Sequence, residues 1–230
     1  ISGDPFQFLT SGYTGITGTA NIDHQNGASA NTWYHVAVVR SGNTITLYVD
    51  GVASNDTIDL SGSSYAASGQ LWFGSNGNTA TQMVGYMDEI RVSDVARYSS
   101  NFTAPTSAFT PDSNTVMLLH GDGPYGSNGN FHIVDDIGDL RPLDIHIQTN
   151  TTGSTAPTIS SAQAKFGATS LRLEDNDGHC EFAQPEWANQ FTIEFWFRAD
   201  SIGGTQWMAG TWGGSGHGGF TWILGLSGSS

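Results

Sequence analysis

Apolar and polar positions alternate with period two along much of this chain, and helical spacing is nearly absent. The clearest segment, 33–40, reads Trp-Tyr-His-Val-Ala-Val-Val-Arg. A Ser41-Gly42-Asn43 turn signal follows, then 44–50, where Ile45, Leu47 and Val49 alternate with Thr44, Thr46, Tyr48 and Asp50. This pattern predicts a hairpin with one strand half-buried, and Asp50-Gly51 opens the next turn. Further strands are predicted at 70–74, 84–92, 116–120, 170–173, 180–182, 191–198, 207–211 and 220–226. In 191–198, Ile193, Phe195 and Phe197 share one face, and Glu194, Trp196 and Arg198 share the other. A helical turn is expected at 93–98. Pro105 and Pro111 make 99–114 the best linker candidate. Many short strands joined by Gly-rich turns predict an all-β sandwich or jelly roll of two antiparallel sheets.

Composition narrows the function classes. The 230 residues suit one large sandwich or two small domains. The formal net charge of −14, with only 7 Lys plus Arg, argues against nucleic acid and anionic membranes as partners. It suits solubility and divalent cations. Cys180 is the single cysteine, so no intrachain disulfide forms, and a buried inert thiol is expected. No apolar run reaches the length of a membrane helix, so no membrane insertion is expected. The first residue is Ile1 and no signal peptide opens the sequence, which reads as a processed or excised piece.

Taken together, several motifs resemble laminin-G-like jelly rolls, relatives of the concanavalin A-like lectin/glucanase fold. The run 31–40, continuing to Leu47-Tyr48-Val49-Asp50-Gly51, resembles the central hairpin. Gly85-Tyr86-Met87-Asp88-Glu89-Ile90-Arg91-Val92 resembles the last strand, and Leu118-Leu119-His120-Gly121-Asp122-Gly123 the first. Ala162-Gln163-Ala164-Lys165-Phe166-Gly167 and Phe191-Thr192-Ile193-Glu194-Phe195-Trp196 resemble the next elements. The order is permuted. Residues 1–110 resemble the C-terminal half of such a jelly roll and 115–230 the N-terminal half, as in a slice across tandem repeats or a circular permutation. Placing 220–230 before 1–9 restores strand, polar turn, strand. The two halves are expected to make one sandwich equivalent, within the chain or with a neighbouring copy.

Chemistry is sparse. A retaining glycosidase needs two carboxylates about 5–5.5 Å apart on one face. No Glu-x-Asp-x-Glu run exists, and Asp88 and Glu89, being adjacent, should point to opposite faces. There is no nucleophile elbow, zinc motif or phosphate loop, and His35 reads as structural. No enzyme is expected. The resemblance implies a structural calcium at the sandwich edge, with Asp88, Asp122, Asp135 and Asp136 as the candidate ligands. A sugar site is expected from aromatics in the Gly-rich region, at Trp207, Trp212 and His217. The reading is a non-enzymatic surface module for glycan or cell-surface recognition, extracellular, on a cell surface or on a virion. The alternatives are a structural repeat of a phage tail or large adhesin, with homo-oligomeric or tandem neighbours, and a glycoside hydrolase or its accessory domain.

Overall fold

Strand after strand here has one apolar face, and a sheet with one apolar face is stable only when a second layer covers it. In the computed structural model, residues 4–10, 20–61, 70–74, 81–123, 146–149, 157–174, 178–183, 189–213 and 219–228 are described. The strands are β1 (Asp4–Thr10), β2 (Ala20–Ala28), β3 (Tyr34–Ser41), β4 (Thr44–Val49), β5 (Val52–Ala53), β6 (Ile58–Asp59), β7 (Gln70–Phe73) and β8 (Gly85–Ser93). They continue as β9 (Thr115–Leu119), β10 (His146–Thr149), β11 (Thr158–Ser160), β12 (Ser170–Leu173), β13 (Gly178–Ala183), β14 (Gln190–Ala199), β15 (Gln206–Gly213) and β16 (Gly219–Leu226). They form two antiparallel sheets. One has seven strands in the order β10-β13-β7-β15-β16-β1-β2. The other has nine, ordered β11-β12-β8-β14-β3-β4-β5, with β6 on β4 and β9 on β8.

Both halves of the sequence supply strands to both sheets. β16 pairs with β1, with Leu226 opposite Phe6 and Leu224 opposite Phe8. β14 pairs with β3, with Ile193 opposite Val38 and Phe195 opposite Val36. One core runs between the sheets and includes Phe6, Phe8, Val36, Leu47, Phe195 and Phe197. Phe73 meets Phe195 edge-on across it, with ring centroids 6.0 Å apart. A void of about 10 Å³ beside Asp88, Leu119, Gly121 and Leu171 holds at most one water.

The turns follow the sequence signals. Gly42 at φ 60 opens the two-residue loop between β3 and β4. Asp50 at φ 49 and Gly51 at φ 79 make a turn with both central residues left-handed, joining β4 to β5.

Two expectations fail. Residues 93–98 are not a helical turn, because β8 runs through Ser93 and the next polar groups bond to the sheet instead. The Arg97 N–H donates to Thr192 Oγ1 at 2.9 Å, and the Thr192 hydroxyl donates to Val95 O at 2.7 Å. Residues 99–114 are not a linker either. Residues 94–111 cross the outer face of the nine-stranded sheet as a strap. Tyr98 and Phe102 stack at 3.6 Å and pack on Ala37, Val39 and Tyr48. The Phe102 N–H donates to Gly51 O at 2.9 Å, and the Ala53 N–H donates to Asn101 Oδ1 at 2.9 Å. β2 was not foreseen. Its inward positions are Ile22 and His24, and burial pushes the His24 imidazole below its ordinary pKa while its backbone hydrogen bonds oppose the shift.

Candidate functional site

The two outer faces differ in kind. On the nine-stranded sheet, Glu194 lies under the strap, fully buried. Its carboxylate accepts hydrogen bonds from Arg91 Nε at 2.8 Å and Tyr98 OH at 2.7 Å, and pairs with His35 Nε2 at 3.2 Å. The Arg91 guanidinium in turn lies 4.0 Å over the Phe109 ring. Burial alone would raise the Glu194 pKa. The His35 hydrogen bond, the charges of Arg91 and His35 and the Tyr98 hydroxyl outweigh it and hold the carboxyl below its ordinary value.

Beside this network β8 carries a bulge. Glu194 pairs with Arg91 and Trp196 with Asp88, so three steps on β8 match two on β14. Glu89, at φ 53, is the inserted residue. Asp88 and Glu89 therefore both turn to the outer side, correcting the expectation of opposite faces. Asp88 accepts the N–H groups of Lys165 at 2.8 Å, Phe166 at 3.2 Å and Glu89 at 2.9 Å. Glu89 accepts the Phe109 N–H at 2.6 Å and pairs with His120 Nδ1 at 2.7 Å. Both carboxylates are about 1% exposed and hydrogen-bonded on both oxygens, so they tie loops to the sheet.

The outer face of the seven-stranded sheet is organised in cross-strand rows. One row holds Glu181, Trp72, Gly210, Ile223, Leu9 and Asn21. At one end Trp72 stacks on His179 at 4.3 Å, and His179 Nε2 lies 3.0 Å from Glu181 Oε1. These three are buried. The next row holds Trp207, Gly225, Gln7 and Asp23. The Trp207 indole lies against Gly225, where a Cβ would come within 2.6 Å of Cε3. At the β1–β2 end the row opens to solvent. Asp23 Oδ1 accepts Gln7 Nε2 at 2.7 Å, and Asp23 Oδ2 accepts Asn21 Nδ2 at 3.3 Å.

The family profile described as the concanavalin A-like lectin/glucanases superfamily, of the laminin-G type, matches residues 2–101. The match covers 100 of the 230 residues. The two-sheet antiparallel sandwich is a concanavalin A-like jelly roll. No curated protein and no solved structure matches the chain.

Within this jelly roll, the expected sugar residues fall differently. Trp207 is on the outer face of the seven-stranded sheet, but it is only 9% exposed, so its ring offers little free surface. Trp212 is opposite Gln70 in the β15–β7 ladder, and its side chain lies outside the described residues. His217 lies outside them altogether. Among the expected ion ligands, Asp135 and Asp136 also lie outside. Asp122 is exposed and accepts the Thr169 hydroxyl at 3.2 Å. Asp88 Oδ1 borders Gly121, the residue before Asp122. The Asp88 oxygens are turned to three N–H donors, a poor fit to calcium. Among the described residues no three His, Cys, Asp or Glu side chains converge on a metal position.

Sequence reading missed Gln7, Asn21 and Asp23. Their signal was present, because Gln7 alternates with Phe6 and Phe8, and Asn21 and Asp23 flank Ile22.

Proposed function

We propose that this jelly roll is a non-catalytic recognition module that binds carbohydrate on the outer face of its seven-stranded sheet, as part of a protein displayed outside the cell or on a virion. The observation that carries this reading is the Gln7–Asp23–Asn21 set. A carboxylate held between two amides, at the open β1–β2 end of the sheet face, presents acceptors and donors side by side. Sugar hydroxyls are both donors and acceptors, so such a set suits them. Leu9, opposite Asn21, adds an apolar step for a sugar ring.

A glycosidase is less well supported. Among the described side chains, the carboxylates of this face are Glu181 on β13 and Asp23 on β2, five strand spacings apart. That is about 24 Å, far beyond the 5–10 Å over which two carboxyl groups cooperate. Asp88 and Glu89 share a face, but both are buried under loops on the other sheet.

Affinity electrophoresis through gels carrying a panel of polysaccharides tests the reading. Retardation by at least one polymer is expected, and it should be lost in Asp23→Ala and Gln7→Ala variants that melt with the parent. Variants retarded as strongly as the parent would move the site elsewhere. A chain retarded by no polymer would favour the structural-repeat alternative.

A further inference from the structure

The seven Lys and Arg residues of the chain are not spread evenly. Six are in the described residues, and all six belong to the nine-stranded sheet or to segments packed on it. They are Arg40 on β3, Arg91 on β8, Arg97 in the strap, Lys165 before β12, Arg172 on β12 and Arg198 on β14. Each is already engaged there. Arg40 donates to Gly42 O, Arg91 pairs with Glu194, and Arg97 with Asp112. The Lys165 ammonium lies 3.6 Å over the Trp196 ring, and Arg172 and Arg198 both bond Asp200. Among the described residues, no strand of the seven-stranded sheet carries a Lys or Arg.

We infer that the outer face of the seven-stranded sheet takes uncharged, hydroxyl-rich polysaccharide and turns away sulfated and uronic-acid polymers. The inference rests on the carbohydrate reading above and adds the class of glycan. Binding an anionic polymer requires cations that approach its sulfate or carboxylate groups, as phosphate recognition does. This face offers the Asp23 carboxylate instead, on a protein of formal net charge −14. Arg91, Arg97, Lys165, Arg172 and Arg198 are held by partners on the outer side of the nine-stranded sheet, roughly the thickness of two sheets away, beyond a Debye length of about 10 Å at 0.1 M salt, and Arg40, on the side of β3 that carries Val36 and Val38, is tied down at the strand end by Gly42 O. What remains at the open end of the row is amide and carboxylate chemistry from Gln7, Asn21 and Asp23, which matches neutral hydroxyls.

The test measures affinity for laminarin, dextran and xylan as neutral polymers and for alginate, polygalacturonate and carrageenan as anionic ones. It uses the whole chain, Gln7→Ala, Asp23→Ala and Asp23→Asn, each checked for an unchanged melting temperature. The expected result is binding of at least one neutral polymer about tenfold or more tighter than any anionic one. Gln7→Ala and Asp23→Ala should abolish it. Asp23→Asn, which keeps an acceptor and removes the charge, should narrow the neutral-to-anionic ratio by about threefold or more. An anionic polymer bound tightest, and lost in Gln7→Ala, overturns the inference while leaving the carbohydrate face in place. An unchanged ratio in Asp23→Asn overturns the role of its charge. Binding of no polymer, or binding that ignores Gln7 and Asp23, overturns the carbohydrate reading and the inference with it.

Discussion

Asp88 and Glu89 are consecutive on β8, yet both carboxylates leave the same side of the sheet, because Glu89 at φ 53 is the extra residue of a bulge opposite β14. Two acids that alternation would separate are thereby both buried beneath loops. Asp88 fastens the 165–166 turn, and Glu89 fastens the strap at Phe109.

Asp88 makes stability depend on pH. Burial pushes its carboxyl up to about 7, against the pull of three backbone N–H donors. The folded value then lies above the unfolded value of about 4, so the contribution is full below about pH 4 and declines as pH rises towards about 7. Urea unfolding from pH 4 to 8 should show this decline in the parent and not in Asp88→Asn. Profiles of identical shape would refute it. Asp88→Ala should lower the melting temperature equally in EDTA and in excess calcium, since its oxygens face N–H donors.

Glu194 is the hub of the covered face. Glu194→Ala leaves Arg91 buried without its partner and should cost about 3–5 kcal/mol in urea unfolding. Its carboxyl is held below the ordinary value, so the stability it adds is present above about pH 4.5 and lost as pH falls below that. The variant should therefore lose part of the parent's acid sensitivity. A cost under 1 kcal/mol would show that the network is not coupled to folding.

Gly51 and Gly42 separate strain from collision. Both are left-handed, at φ 79 and φ 60. A Cβ on Gly42 meets nothing within 4 Å, so Gly42→Ala should cost only about 1 kcal/mol. A Cβ on Gly51 would stand 1.9 Å from Phe102 O. Gly51→Ala should cost more, about 3 kcal/mol or above, and should speed hydrogen exchange at Phe102 N, which donates to Gly51 O. Equal costs at the two positions would show that the strap yields freely.

Cys180 is fully buried, and burial pushes its thiol up to about 12. The native protein should not react with Ellman's reagent at pH 8 and should release one equivalent on unfolding in urea. Stoichiometric reaction of the folded protein would mean that β13 opens readily.

The sequence alone was enough for the strands whose neighbours alternate cleanly in polarity, such as Ile45, Leu47 and Val49 on β4 or Ile193, Phe195 and Phe197 on β14. Side-chain period two is a local property, and the apolar face must be covered whatever covers it. The turn at Asp50-Gly51 was legible for the same local reason, whereas the pairing of residues 220–226 with the start of the chain followed from the permuted order of the laminin-G-like motifs. Three features were decided only in three dimensions. β2 carries Ile22 as its apolar inward residue beside a buried His24, so only its register against β1 makes it a strand. The bulge at Glu89 is counted in steps on β14, a partner more than a hundred residues away. The strap at 94–111 read as a helical turn over 93–98 and a linker over 99–114, because its hydrogen-bond partners, Thr192, Gly51 and Glu89, lie elsewhere in the sequence. The same holds for the candidate face. Gln7, Asn21 and Asp23 are ordinary polar residues until antiparallel register sets them side by side, and the described cations are absent from that face because the strands and segments that carry them belong to the other sheet.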